Sequence, residues 1–265
     1  MKLQSRAILL FGAAILVAMS WWNLSTAELP VDPEAQASLQ AELDGYVEEE
    51  PAPPPPPKLP EPEGARRLSP KFDVWVDPKQ GVVIVDGQVS LRRGVLEMFA
   101  CIRNTKEHES VVTVDTEAFL VHTGLILLGA EPGTPVQFVP EYKPPTGPEV
   151  EVTATWRDEQ GKEHTVRGQE WVRDMRTNQE LAHPWVFAGS RFWTDEETGK
   201  QYYQAEGGDF ICVSNFSTAM LDIPVPSSQS NDALEYEAFT ERIPPLGTRV
   251  RLFLKPVLKD KKEKD

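Results

Sequence analysis

The chain has 265 residues, 41 acidic and 27 basic, for a net charge of −14. Such a balance excludes nucleic acid as a partner, because phosphate binding needs a basic stripe that can release counterions. The one basic cluster, Lys259 to Lys264, is interrupted by Asp260 and Glu263 and reads as a charged, disordered tail over residues 259–265.

The N-terminus carries the three zones of a secretory signal peptide over residues 1–27. Lys2 and Arg6 supply positive charge, Ala7 to Met19 is apolar or small, and Ser25-Thr26-Ala27 offers small residues for cleavage after Ala27. The alternative is an uncleaved anchor over residues 7–22, extended by the interfacial aromatics Trp21 and Trp22; contact with a membrane is expected only through it. Cleavage places the mature chain in the periplasm or outside the cell. No cysteine follows the apolar run, which excludes a lipoprotein-type anchor.

Residues 28–67 read as an acidic, proline-rich, disordered spacer. Between residues 28 and 64 lie ten acids against Lys58 alone, and ten of the 24 prolines, including Pro53 to Pro57. This composition favours an extended polyproline-like tether over a packed element. Much of the acidity therefore belongs to the tether, and the domain expected over residues 68–258 is mildly acidic.

From Phe72 onward, short β-branched and aromatic runs alternate with turn residues, the pattern of an antiparallel sheet. Val82 to Val85 and Gln88 to Leu91 flank Asp86-Gly87, a pair suited to a tight hairpin turn. Further strands are expected over 96–102, 150–156, 164–167, 185–192, 202–204, 210–214, 234–240 and 248–256, with turns at Asp158 to Gly161 and Glu196 to Gly199. Between them, Asp115 is placed to cap a helix that Gly129 closes. Phe119, His122 and Ile126 share one face of that helix, and this face is expected to look toward the core. Six prolines from Pro132 to Pro148 then prevent regular structure. The fold class is α+β, predominantly antiparallel β: a β-rich single domain with one short covering helix.

Two polar clusters could carry chemistry. The run Arg103 to Ser110 places Lys106, His108, Glu109 and Ser110 on one connection, able to bind an anion or to contribute to a metal site, or simply a solvated loop. Too few histidines exist for a metal motif, and no metal site is assigned. The second cluster, Asp209 to Met220, is a hydrophobic strand that runs into hydroxyl and amide side chains, where Ser214, Asn215, Ser217 and Thr218 line a site or satisfy local turns. His122 reads as a buried, hydrogen-bonded side chain, or else as one meeting His108 or Cys101 beneath the helix. Cys101 and Cys212 are candidates for a disulfide if their strands are neighbours, or for a thiol nucleophile activated by His108. No phosphate loop, dinucleotide fingerprint, hydrolase elbow or zinc-finger spacing occurs, and no cofactor is indicated.

The stretches Leu96 to Cys101, Lys106 to Ser110, Leu128 to Phe138, Trp185 to Ser190, Gly208 to Asn215 and Glu237 to Pro245 together resemble the YdjY-like domain family of exported bacterial proteins, in the form common in planctomycetes. The resemblance spans nearly the whole domain and implies export, but no particular reaction or ligand. Some relatives carry extra cysteines near the segment equivalent to Phe210 to Ser217. Only Cys212 stands there in this chain, so a multi-cysteine cluster is not carried over. The expectation is a non-catalytic periplasmic or surface module that binds an envelope protein or small ligand. The alternatives are a thiol- or metal-assisted enzyme using Cys101 or Cys212 with His108, and an envelope structural protein.

Overall fold

The computed structural model describes residues 58–228, 230 and 233–258. The signal peptide, residues 28–57 of the spacer and the tail lie outside the described residues. Residues 58–67, read above as the end of the spacer, are held to the domain: Lys58 pairs with Asp73 at 2.9 Å, and Arg67 with Glu61 and Asp73 at 2.5 and 3.1 Å.

In chain order the elements begin with β1 (Arg66–Arg67), β2 (Val74–Asp77), β3 (Val82–Val89), β4 (Met98–Ile102), β5 (Ser110–Val114) and the helix α1 (Ala118–Leu127). There follow β6 (Glu149–Arg157), β7 (Glu163–Arg167), β8 (Val172–Asp174), β9 (Gln179–Glu180), β10 (Trp185–Phe187), β11 (Phe192–Thr194) and β12 (Gln201–Tyr203). The last are β13 (Ile211–Cys212), β14 (Leu221–Asp222), β15 (Tyr236–Ala238) and β16 (Arg249–Pro256). The β-rich class with one short helix is as the alternation of apolar and turn residues implies. The sheet, however, closes on itself. Eight strands follow one another in the order β3-β16-β6-β10-β14-β13-β4-β5, and β5 pairs back with β3 to complete a barrel. Closure removes the open edges that a flat sheet would present.

Parity along the strands sorts the side chains. Val83, Val85 and Val89 of β3, Val150, Val152 and Ala154 of β6, and Val250, Leu252 and Leu254 of β16 join one buried core. Phe99, Trp171 and Trp185 fill it, with Phe99 and Trp185 ring centroids 5.2 Å apart. On the opposite face of β3 and β16, Asp86 pairs with Arg251 at 2.6 Å, and Arg251 lies over the ring of Trp75.

Asp86-Gly87 is not a turn: β3 runs through both residues. They mark a change of partner. The edge of β3 away from β16 is taken by β2 over Val82–Val85 and by β5 over Gly87–Val89. Between them the Asp86 amide donates to Asp73 O at 3.1 Å, and the Asp115 amide donates to Asp86 O at 3.5 Å. Glycine is required at 87 by space. A Cβ there would sit 2.5 Å from the Thr113 carbonyl oxygen and 3.1 Å from a Val114 methyl. The turn lies instead at Gly81 (φ 68°), whose amide closes on Asp77 O at 2.9 Å.

Two further expectations are corrected. The run 185–192 breaks into β10 and β11 because Gly189 and Ser190 adopt φ of 88° and 58°. Helix α1 buries Ala118, Val121, His122 and Leu125, whereas Phe119, Ile126 and Leu127 are 43, 47 and 63 % exposed. The segment is apolar nearly all round, so its periodicity could not fix which stripe faces inward. Asp115 does not cap it either, being paired with Arg103. The free amides of Ala118 and Phe119 donate instead to the Glu206 carboxylate at 3.0 and 2.9 Å, a cap brought from far along the chain.

Substituting Gly87→Ala should cost about 3 kcal/mol of stability in urea denaturation, since a carbonyl oxygen stands where the methyl must go. Gly207→Ala, where a Cβ meets nothing within 4 Å, is the control and should stay within about 0.5 kcal/mol of the parent.

Candidate functional site

Two neighbouring strand pairs in this antiparallel barrel are parallel: β4 with β5, and β13 with β14. Parallel neighbours cannot be joined by a hairpin, so each connection must travel back along the sheet before the second strand begins. Ser110 stands opposite Met98, and Val114 opposite Ile102, so residues 103–109 return over four residues of strand, about 13 Å. Residues 213–220 do the same for the other pair. Because β13 and β4 are adjacent, the two returning connections lie side by side.

Glu97, just before β4, joins them. Its carbonyl accepts the amides of Val213 and Ser214 at 2.8 and 3.0 Å, and its own amide donates to Glu109 O at 3.2 Å. Its carboxylate takes Lys106 Nζ at 3.1 Å. The same ammonium lies 3.0 Å from Asp209 Oδ1 and 4.1 Å from the centre of the Phe216 ring. The Asp209 contact is ionic rather than directed, since Oδ1 has no aligned donor; its other oxygen takes the Thr218 hydroxyl. Gly208 permits the approach, because a Cβ there would lie 2.7 Å from the Thr105 hydroxyl and 3.0 Å from the Lys106 side chain.

Burial, together with the neighbouring Glu109 carboxyl, raises the pKa of Glu97, against the pull of Lys106. Burial works against the charge of Lys106, but Asp209 and Glu97 outweigh it and hold that pKa above the usual lysine value. The loop has its own bonds as well. Ser110 Oγ donates to Lys106 O at 2.7 Å, the Thr105 hydroxyl donates to Ile102 O, and the Asn104 amide donates to Glu107. His108 is left at the surface, 73 % exposed, with Nε2 3.7 Å from Glu109.

The residues singled out in the sequence thus divide into groups. Lys106, Glu109, Ser110, Ser214 and Asn215 are brought to one region. Asn215 is a structural hub: its amide nitrogen donates to Asp222 Oδ1 at 3.1 Å and Ile223 O at 3.2 Å, and its oxygen accepts from Tyr142 and Ser227, each at 3.0 Å. Burial pushes Asp222 well above the carboxylate range. His122 stands apart. It is buried under Phe187 and Tyr203, with Nδ1 2.8 Å from the Tyr203 hydroxyl, which itself donates to Gly189 O at 3.0 Å. Burial lowers its pKa, favouring the neutral ring.

The cysteines do not pair; both are free and fully buried. Their strands are neighbours, as a disulfide would need, but Cys212 stands opposite Met98. Cys101 is three residues further along β4, about 10 Å away and on the other face of the strand. Its sulfur lies 3.8 Å from the Thr113 hydroxyl, and Cys212 packs with Met98 and Ala219. Burial raises the pKa of both thiols, Cys212 the more strongly. His108 makes no contact with either thiol. Among the described residues no three His, Cys, Asp or Glu side chains converge as metal ligands, and no helix is long and apolar enough to cross a membrane.

Sequence reading missed Glu97 as a partner of Lys106; Asp209 and Phe216 lie within the second polar cluster, but their contact with Lys106 was not foreseen. A lone acid preceding an apolar strand gave no sign that it would be buried.

Two expectations follow. Lys106→Met should destabilise the fold by about 3 kcal/mol, because it leaves Glu97 and Asp209 without their cation. A carboxyl with a raised folded pKa contributes stability that is present in acid and is lost as pH rises through that value. The deficit in the variant should therefore grow as the pH of urea denaturation is raised from 4.5, the unperturbed value for glutamate, toward neutrality. Native protein should also leave both thiols unreacted with an aromatic disulfide reagent and release two equivalents only after unfolding; prompt reaction of either would contradict its burial.

No curated protein and no solved structure matches the chain. A family profile for the YdjY domain matches residues 74–255, from the start of β2 to within one residue of the end of β16. That span takes in the whole closed barrel and both returning connections, and on it the chain belongs to the YdjY domain family.

Proposed function

We propose that the chain is an exported, non-catalytic binding module of the periplasm or cell surface. On this reading it meets its envelope partner or small ligand through the loop Arg103–Ser110 and the adjoining segment Gly208–Thr218. The observation that carries the reading is the construction of the loop. It is pinned by Lys106, by two hydroxyl-to-carbonyl bonds and by the Arg103–Asp115 pair, yet it leaves Asn104 and His108 exposed. A connection that only had to join two strands would not need this ordering. A recognition loop gains from it, because the conformational entropy of binding is paid during folding.

Export is supported by the charged, apolar and small-residue zones of residues 1–27 and by the proline-rich tether after them. The thiol-enzyme alternative lacks a reachable sulfur, both cysteines being fully buried. An envelope structural role remains the competing outcome of the test.

Lys106 belongs to the frame, so the test uses His108. A photo-crosslinking amino acid in place of His108 should yield a discrete adduct in envelope preparations, whereas the same group at the exposed Lys79 should not. Excess unlabelled parent protein should compete that adduct away, and the substitution at 108 should shift Tm by less than about 1 °C, as expected of a surface substitution. Equal labelling from both positions, or none from either, would remove the binding role of the loop and favour the structural reading.

A further inference from the structure

A second feature lies at one end of the barrel and shares no lining residue with the Lys106 cluster. A cleft of about 300 Å³ opens where β6 ends and β16 begins, lined by Trp156, Arg157, Asp158, Glu159, Gln160, Pro244, Pro245 and Thr248. That volume is at the lower end of the range for small-molecule sites, and barrel mouths are among the places where such sites occur.

Its walls rest on an aromatic stack and two hydrogen-bonded turns. Trp156 stands opposite Val250 on β16 and His164 on β7. The His164 ring stacks on the indole at 5.0 Å and 15°, and Trp171 tilts against it at 5.3 Å. His164 Nε2 lies 2.7 Å from Asp158 Oδ2. Asp158 Oδ1 in turn accepts the amides of Gln160 and Lys162 at 3.0 and 2.9 Å, fixing the turn that carries Glu159 and Gln160. The opposite wall is Pro244-Pro245, held by the turn in which the Thr248 amide donates to Pro245 O at 3.1 Å.

The lining selects a chemistry. Indole and two proline rings give flat apolar surfaces, suited to the C–H face of a ring. Around them stand donors on Arg157 and Gln160, acceptors on Asp158 and Glu159, and the Thr248 hydroxyl, which does both. Arg157 is already paired with Glu163 at 3.2 Å, and Asp158 is held by His164. What remains is a mixed hydrogen-bonding rim with no positive surplus. It disfavours phosphates and carboxylates, which would face Glu159, and the small volume with charged groups at its rim disfavours an acyl chain. A neutral ligand carrying many hydroxyls on a ring satisfies every part of it.

From this lining we infer that the barrel mouth is a saccharide-binding site, with Trp156 and Pro244-Pro245 as its walls and Glu159, Gln160 and Thr248 reading hydroxyl groups. It is separate from the loop face proposed above.

The test is isothermal titration of the full chain with chitotetraose, cellotetraose and maltotetraose. At least one should bind saturably. Gln160→Ala and Thr248→Ala, both on the rim, should weaken it tenfold or more with circular dichroism and Tm unchanged. Trp156→Phe, which keeps an aromatic wall, should retain more affinity than Trp156→Leu. His108→Ala should leave the affinity unaltered, so loss of the loop's role and loss of this site give different results. Absence of binding by all three sugars at millimolar concentration overturns the proposal, as does binding that the rim variants leave intact.

Discussion

Two parallel strand pairs in a barrel otherwise built from antiparallel neighbours set the arrangement of the polar groups around Lys106. β4 beside β5 and β13 beside β14 each demand a connection that runs back along the sheet. The strands are consecutive in the order β14-β13-β4-β5, so the two connections run along the same wall. Once there, their polar groups must be satisfied at close quarters. Lys106 meets that requirement by lying between Glu97 and Asp209, one cation holding two nearly buried carboxylates that come from opposite sides of the junction. The backbone of Glu97 bonds to both connections as well, so the ion pairs stand on a hydrogen-bonded frame rather than replacing one.

The same topology explains why the cysteines stay reduced although their strands touch. Adjacent strands bring two sulfurs together only when register and face agree. Here the irregularity between Ile211 and Cys212 sets Cys212 against Met98 instead of Cys101. Each thiol then becomes a small buried packing group. The local sequence around both residues holds no information on this point, because register is a property of the pairing.

How much could be read from the chain alone follows from the range of each interaction. The alternation that marks β6 and β16 is local, and both strands lie close to where the pattern puts them. The proline run from Pro132 to Pro148 holds no strand, again from a local cause. Asp86-Gly87 was misread because the pair has the composition of a tight turn while its actual requirement, clearance for the Thr113 carbonyl, lies 26 residues away. The helix misled twice. Its apolar residues surround it, so the inward stripe was settled by the strands it covers, and its N-terminal amides are capped by Glu206 rather than by anything beside them. In the candidate site, the residues on the two connections were legible as polar clusters, whereas Glu97 and the pairing of Asp209 with Lys106 were not, since a carboxylate is worth burying only beside a cation whose position is fixed by folding.

The molecule thereby separates two kinds of polar investment. Asn215, Asp222 and Ser227 are buried and bonded mostly to one another and to nearby backbone, with Tyr142 joining from the surface, as buried polar groups must be if they are not to destabilise the core. The loop at His108 and the barrel mouth at Trp156 differ in that ordered parts end in side chains still open to solvent. In both places a carboxylate fixes the backbone, Glu97 through Lys106 and Asp158 through the turn amides, and neighbouring groups are left to face outward. Rigidity delivered to an exposed group has no use for the stability of the barrel, which Gly87 and the β3–β5 pairing already close. On the proposed reading its use lies in recognition, where a preformed surface loses less entropy on meeting its ligand than a mobile one.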